Sequence, residues 1–288
     1  MLPFEYARPR CIDELFEMLA TAGGEVRLLA GGTDLIVGLR HHTVSSGYVI
    51  DLKGIAELQR GISQTADELV VPAGTTMTAL TQDDRVRRHF PALVQAASVV
   101  GSRQIRNRAT LGGNLCNASP AADTVPVLAL YGATIVIQEP KGQRALSVQE
   151  FIKGNRDIAL SAEELVVEIR IPIAKTPSGS AFGRITRRKG VDLATVNLSC
   201  RIWHDGQVSF ALGAVAPRPL VVEAGAGELP DTHADQAEMD AVLERLMTAA
   251  TPIDDVRASA DYRQAMLTVL ARRTFARARE NLISEVAP

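Results

Sequence analysis

Apolar residues Ile12, Leu15, Phe16 and Leu19 recur at helical spacing and predict a helix over 12–22, closed by Gly23 and Gly24. The short apolar run from Val26 to Ala30 predicts a buried strand that enters Gly31-Gly32-Thr33-Asp34. A second helix over 35–40 and a strand over 48–52 complete a small βα unit. A strand over 69–72 leads into Ala73-Gly74-Thr75-Thr76; a helical stretch follows, and Pro91 starts another helix that runs through Ala97. Residues 101–123 show no period and are rich in Gly, Asn, Ser and Arg. They read as one long ordered loop, and loops of that length between apolar flanks are usually functional.

Strands over 134–138 and 144–147 flank the turn Pro140-Lys141-Gly142, and 165–171 reads as a strong strand stopped by Pro172. Residues 175–180, KTPSGS, read as a linker. Beyond it, strands are predicted over 182–187, 195–203 and 207–215, the last two joined by Asp205-Gly206, then helices over 234–250 and 255–283. The pattern divides the chain into residues 1–174, with lobes of about 1–55 and 56–174, and residues 180–288, where strands precede helices in an α+β layout. No internal repeat interrupts it.

Composition narrows the classes. With 46% hydrophobic and 22% charged residues over 288 positions, the chain has an ordinary globular balance and can bury a sizeable core. A formal charge of −2 gives no basic footprint for nucleic acid. No stretch approaches the roughly 18 apolar residues of a membrane span, and the N-terminus lacks a signal-peptide run, so a cytoplasmic protein is expected. The cysteines, Cys11, Cys116 and Cys200, form no C-x-x-C pair, so one local motif cannot build a zinc or iron–sulfur site.

The candidate chemistry lies in two glycine-rich loops. In the first, Gly31 and Gly32 let a ligand approach the main chain, amides at the following helix start favour anions, and Asp34 fits an N-cap. A plain strand–helix turn would need glycine as well, and G-G-T-D is not the dinucleotide fingerprint. The second loop, Ala109 to Pro120, concentrates small and amide side chains that can wrap a diphosphate or ring through N–H groups. Asp123 either accepts bonds from ligand hydroxyls or caps the next helix. Arg103, Arg106 and Arg108 either steady phosphates or grip neighbouring loops. Cys116 has no histidine nearby in sequence to act as base and reads as a small buried hydrophobe. His41 and His42 point apart and read as capping or surface residues.

The stretches LLAGGTDLIVGLR, QIRNRATLGGNLCNASPAADTVPVL and LVVEIRIP occur in this order along the chain. On them the sequence resembles the FAD-binding medium subunits of molybdenum hydroxylases, which include xanthine, carbon monoxide and nicotinate dehydrogenases. GGTD, the paired histidines and GGNLCNA point especially to bacterial xanthine dehydrogenase. The resemblance implies a two-lobed FAD-binding domain of the vanillyl-alcohol oxidase type, then a C-terminal α+β domain of the CO dehydrogenase flavoprotein type. It carries FAD-diphosphate contacts onto Leu29, Ala30, Gly31, Gly32, Thr33 and Asp34, flanked by Arg27, Leu28 and Leu35. It carries diphosphate and ribityl contacts onto Thr110, Gly112, Gly113, Asn114, Asn117 and Asp123, with Ile105 nearby. Leu165 and Val166 are expected near the cofactor, and the stretch from Arg184 through Lys189 to Asp192 beside the flavin ring. Leu193 and Val100 stand where some relatives place an aromatic residue. The extra iron–sulfur cluster that some relatives carry in this subunit is not expected.

The resemblance further implies partners: a molybdopterin-binding large subunit that oxidises substrate, and a small subunit with two [2Fe-2S] clusters that relays electrons, assembled as a dimer of heterotrimers. FAD would collect two electrons and pass them to NAD+; the flavin supplies the chemistry and the protein orients it. Other substrates, such as carbon monoxide, nicotinate or another N-heterocycle, and a quinone acceptor are the alternatives. A free-standing flavin oxidase and a cofactor-free scaffold are the rival classes.

Overall fold

The amphipathic stretch at the N-terminus folds as expected: α1 (Ile12–Thr21) buries Leu15 and follows a short edge strand, β1 (Glu5–Ala7). The computed structural model describes residues 2–229 and 236–286. After α1 come β2 (Val26–Leu29), α2 (Leu35–Arg40) and β3 (Tyr48–Asp51). β3 lies in the middle of a three-stranded parallel sheet in the order β1-β3-β2. In such a sheet the turns leaving the carboxyl ends of the strands gather on one side. The Gly31 turn after β2 and the Lys53 turn after β3 therefore become neighbours.

A helical turn, α3 (Ala56–Gln59), leads to β4 (Ser63–Gln64) and β5 (Glu68–Pro72). Helices α4 (Met77–Gln82), α5 (Asp84–His89) and α6 (Pro91–Ser98) follow, each with a local start signal. Thr76 caps α4, Asp83 accepts from the Arg85 and Val86 amides of α5, and Pro91 opens α6. The stretch 101–123 is not one loop. It holds two short helices, α7 (Arg103–Arg106) and α8 (Leu111–Cys116), each capped by its preceding Ser102 or Thr110. Helices this short show no periodicity, so composition alone reads as loop.

The apolar helix α9 (Thr124–Leu130) is buried along its whole length. The hairpin β6 (Thr134–Glu139) and β7 (Gly142–Ser147) follows, then α10 (Val148–Phe151), β8 (Ile152–Gly154), β9 (Asp157–Ile158) and β10 (Leu165–Pro172). β10 is the central strand of an antiparallel sheet ordered β4-β5-β10-β6-β7. Its burial on both faces explains why its sequence is nearly all apolar.

The expected linker is partly strand: β11 (Ser178–Ile185) begins inside it, because Ser178 pairs with Trp203 across the sheet. β11, β12 (Val196–Trp203), β13 (Val208–Gly213) and β14 (Leu220–Ala224) form a four-stranded antiparallel sheet in chain order. Helices α11 (Gln236–Met247) and α12 (Ala260–Val286) complete the chain; the helix start expected at Ala234 lies outside the described residues. α12 runs along β11 and β12, close enough that a Cβ on Gly183 would stand 2.7 Å from Thr274 Oγ1.

Two hydrophobic cores result. One runs from Leu15 to Phe182, and the other packs the last sheet against α11 and α12. Polar bonds join them. Gln95 Oε1 accepts the Phe182 amide at 2.8 Å, Tyr131 Oη meets Ser180 Oγ at 2.5 Å, and the Ala214 amide donates to Pro120 O at 2.7 Å.

Candidate functional site

A cleft of about 970 Å³ opens where the two glycine loops, the end of β3, the start of β10 and the turn after β11 converge. All the expected cofactor residues line it except Leu29 and Lys189. Leu29 lies beneath the first loop, 2.8 Å from where a Cβ on Gly32 would be, and Lys189 is exposed on the turn after β11. Val100 and Leu193 both line the cleft.

The loops touch each other through backbone. A Cβ on Gly31 would run into the Arg108 carbonyl and stand 3.0 Å from Ala109 Cα. A Cβ on Gly112 would stand 2.7 Å from Ala73 Cβ and 2.8 Å from Ala73 O. Only Gly32, at φ 76°, uses the left-handed region. The other two are needed for close backbone approach, Gly31 to the start of the second loop and Gly112 to the 73–77 turn.

The two loops differ in what their amides do. In the second, Gly112 N–H donates to Ala73 O (3.0 Å), Gly113 N–H to Thr110 Oγ1 (3.0 Å) and Asn114 N–H to Thr110 O (2.9 Å). The expectation that both loops present amides to a diphosphate is therefore corrected: the second loop commits these to its own helix and to the 73–77 turn. In the first loop, among the described residues, the amides of Gly31, Gly32, Thr33, Asp34 and Leu35 have no protein acceptor. Five adjacent donors beside a cleft make a cradle for an anion. Thr110→Val, which removes the α8 cap, is expected to cost about 1 kcal/mol of stability, read from the urea midpoint.

Both capping expectations for acidic residues fail for one reason. Asp34 and Asp123 stand at the N-cap positions of α2 and α9, but each has helical backbone, φ −102° and ψ −48°, and φ −77° and ψ −34°. A capping side chain needs extended backbone to turn back on the helix. Asp34 instead accepts from Asn117 Nδ2 and Thr33 Oγ1, each at 3.4 Å, and so links the loops. Asp123 is buried and receives Arg184 Nη1 at 2.7 Å and Asn197 Nδ2 at 3.1 Å, both from the strands of the second core. Burial pushes its pKa up to about 6 against the pull of Arg184 and Asn197.

Other candidates settle into structural roles. Burial pushes the Cys116 thiol up to about 12, which leaves it without a thiolate for nucleophilic work. Arg106 grips the carbonyls of Val100 and Gly101, and Arg103 is exposed. Arg27 is engaged with Glu25 and with Ser45 O. His41 and His42 are exposed, and no group of metal-ligating residues forms among the described residues. Sequence reasoning missed Lys53, Gln59, Gly74, Thr76, Arg156 and Leu160, all in the cleft wall. Lys53 had a signal, its place just after a parallel strand. Arg156 had none, because a hairpin turn with φ 56° brings it there.

The family described as FAD binding domain in molybdopterin dehydrogenase matches residues 2–174. The chain belongs to this family. A second family, the CO dehydrogenase flavoprotein C-terminal domain, matches residues 181–278. The chain is 30% identical to the xanthine dehydrogenase FAD-binding subunit of Escherichia coli O157:H7, over 95% of each chain. It is also 30% identical to the carbon monoxide dehydrogenase medium chain of Afipia carboxidovorans, over 97% of this chain and 98% of that one. In structure it is similar to a chain of the carbon monoxide dehydrogenase from Hydrogenophaga pseudoflava that lacks the Mo-pyranopterin moiety. That match has a TM-score of 0.89 at 29% identity and covers 98% of this chain and 99% of that chain. The protein is thus the FAD subunit of a molybdenum hydroxylase-type oxidoreductase. No helix among the described residues is long and apolar enough to cross a membrane.

Proposed function

We propose that this chain holds FAD in the cleft and passes electrons from the [2Fe-2S] clusters of a small partner subunit to NAD+, in the cytoplasm. A molybdopterin-binding large subunit oxidises an N-heterocycle of the xanthine type, and the complex is a dimer of heterotrimers. Residues 1–174 form the FAD-binding domain and 180–288 the C-terminal domain. The observation that carries the reading is the row of unpartnered amides from Gly31 to Leu35 on the wall of a cleft wide enough for a dinucleotide. FAD held there would supply the chemistry that links one-electron donors to a two-electron acceptor.

The residues of this chain bind and orient. Gly31 to Leu35 donate to the diphosphate, and Thr33 adds a hydroxyl. Asn114, Asn117 and Asp123 face the ribityl and ribose hydroxyls, with Thr110, Gly112 and Gly113 holding that wall in shape. Leu165, Val166, Ile105, Val100 and Leu193 give the cleft apolar walls that exclude water. Arg184 neutralises Asp123, so the site keeps no uncompensated buried anion.

The test is reconstitution and acceptor choice. The purified chain should take up FAD stoichiometrically and show flavin bands. The complete complex should reduce NAD+ with xanthine in preference to nicotinate or carbon monoxide. Absence of flavin after reconstitution would support the scaffold, and turnover by the chain alone would support a free-standing oxidase. Reduction of quinone but not NAD+ would overturn the acceptor.

A further inference from the structure

Lys53 stands on the short turn that follows β3, and three contacts fix it. Its amide donates to Asp51 Oδ1 at 2.9 Å, and its Nζ reaches the same carboxylate at 2.6 Å. Nζ also donates to the carbonyl of Ala30 at 3.2 Å. The carboxylate is anchored from the far side, because Tyr6 Oη donates to Asp51 Oδ2 at 2.7 Å. Asp51 is 4% exposed, so this pair is shielded where most surface ion pairs are not. The relay runs from β1 across β3 into the first glycine loop.

Ala30 is the residue before Gly31. In a trans peptide the C=O and the following N–H point in opposite directions. Holding the Ala30 carbonyl on Lys53 therefore fixes the direction of the Gly31 N–H, the first amide of the cradle. The need for such a hold is physical: two successive glycines lose much backbone entropy when ordered, and no side chain of theirs helps to hold them. We infer that Lys53 is a positioning residue that pre-orders the amides of Gly31 to Leu35 for an anionic group, with Asp51 and Tyr6 as its anchor. This rests on the flavin reading and adds to it how the diphosphate cradle is kept open before the cofactor arrives. A pre-ordered site binds more tightly because less freedom is lost on binding.

The test measures FAD, ADP and riboflavin binding to the full chain by calorimetry. Lys53→Met should raise Kd for FAD and ADP by at least about tenfold, the worth of a hydrogen bond from a charged group. Riboflavin, which lacks the phosphates, should bind unchanged. Lys53→Arg should recover most of the loss. Asp51→Asn separates positioning from simple charge attraction. It keeps Nζ and removes a negative charge, so attraction by Lys53 alone would make ADP bind more tightly. Positioning predicts weaker ADP binding, because the anchor is loosened, and tighter binding would overturn the inference. Equal affinities of wild type and Lys53→Met for FAD would overturn it while leaving the flavin reading intact. Failure of the wild type to bind FAD would overturn both.

Discussion

Gly31→Ala is expected to raise the Kd for FAD by about 100-fold, equivalent to roughly 2.7 kcal/mol. It should also cost about 3 kcal/mol of stability, the upper end for overpacking. The added methyl has no room. It meets the Arg108 carbonyl, which is backbone and cannot swing aside as a side chain would. One loop must move, and either movement disturbs the amide cradle or the wall opposite it. Gly23→Ala is the control, since a Cβ there meets nothing within 4 Å. Flavin fluorescence titration and urea denaturation read the two effects. Flavin affinity within twofold of wild type would show that the contact between the loops does not shape the site.

Arg184→Met is expected to destabilise the protein by about 1.4 kcal/mol at about pH 7 and about 2.7 kcal/mol at about pH 8, because the buried carboxyl loses its cation and must hold a proton instead, at roughly 1.36 kcal/mol per pH unit above its wild-type pKa. The sign of the pH dependence follows from Asp123. Its folded pKa, pushed up to about 6 by burial, exceeds the roughly 3.9 of an unfolded aspartate. Its contribution is therefore fully favourable below about pH 4 and is lost as pH rises through about 6. Removing Arg184 moves the folded pKa higher still, so the loss continues at higher pH. The deficit of the variant against wild type should be small near about pH 5 and largest near about pH 8. A deficit independent of pH in urea titrations would mean that Arg184 acts through packing alone.

Much of the fold was legible because its elements are long enough to show a period. The helix at Ile12–Thr21 and the strand at Leu165–Pro172 follow directly from the spacing of their apolar residues. What escaped was short or nearly featureless. β1 has three residues and no buried one, and β14 sits behind a proline-rich turn. Of the cleft, the glycine motifs were legible because backbone crowding demands glycine at particular places. The partners those glycines crowd against, Arg108 and Ala73, were not, since sequence records the requirement and not its cause. Lys53 and Asn197 reach the site through strand register and sheet docking, which a linear pattern does not encode.

The wall of the cleft made by Arg184, Asp192 and Leu193 comes from beyond the first core. A molecule seated there would touch both halves of the protein. By reciprocity, whatever the halves contribute to its affinity it returns as attraction between them. Loading the cofactor would then tie the two cores together more firmly than their own contacts do. A partner that grips either half would alter how tightly the other holds its share of the cofactor.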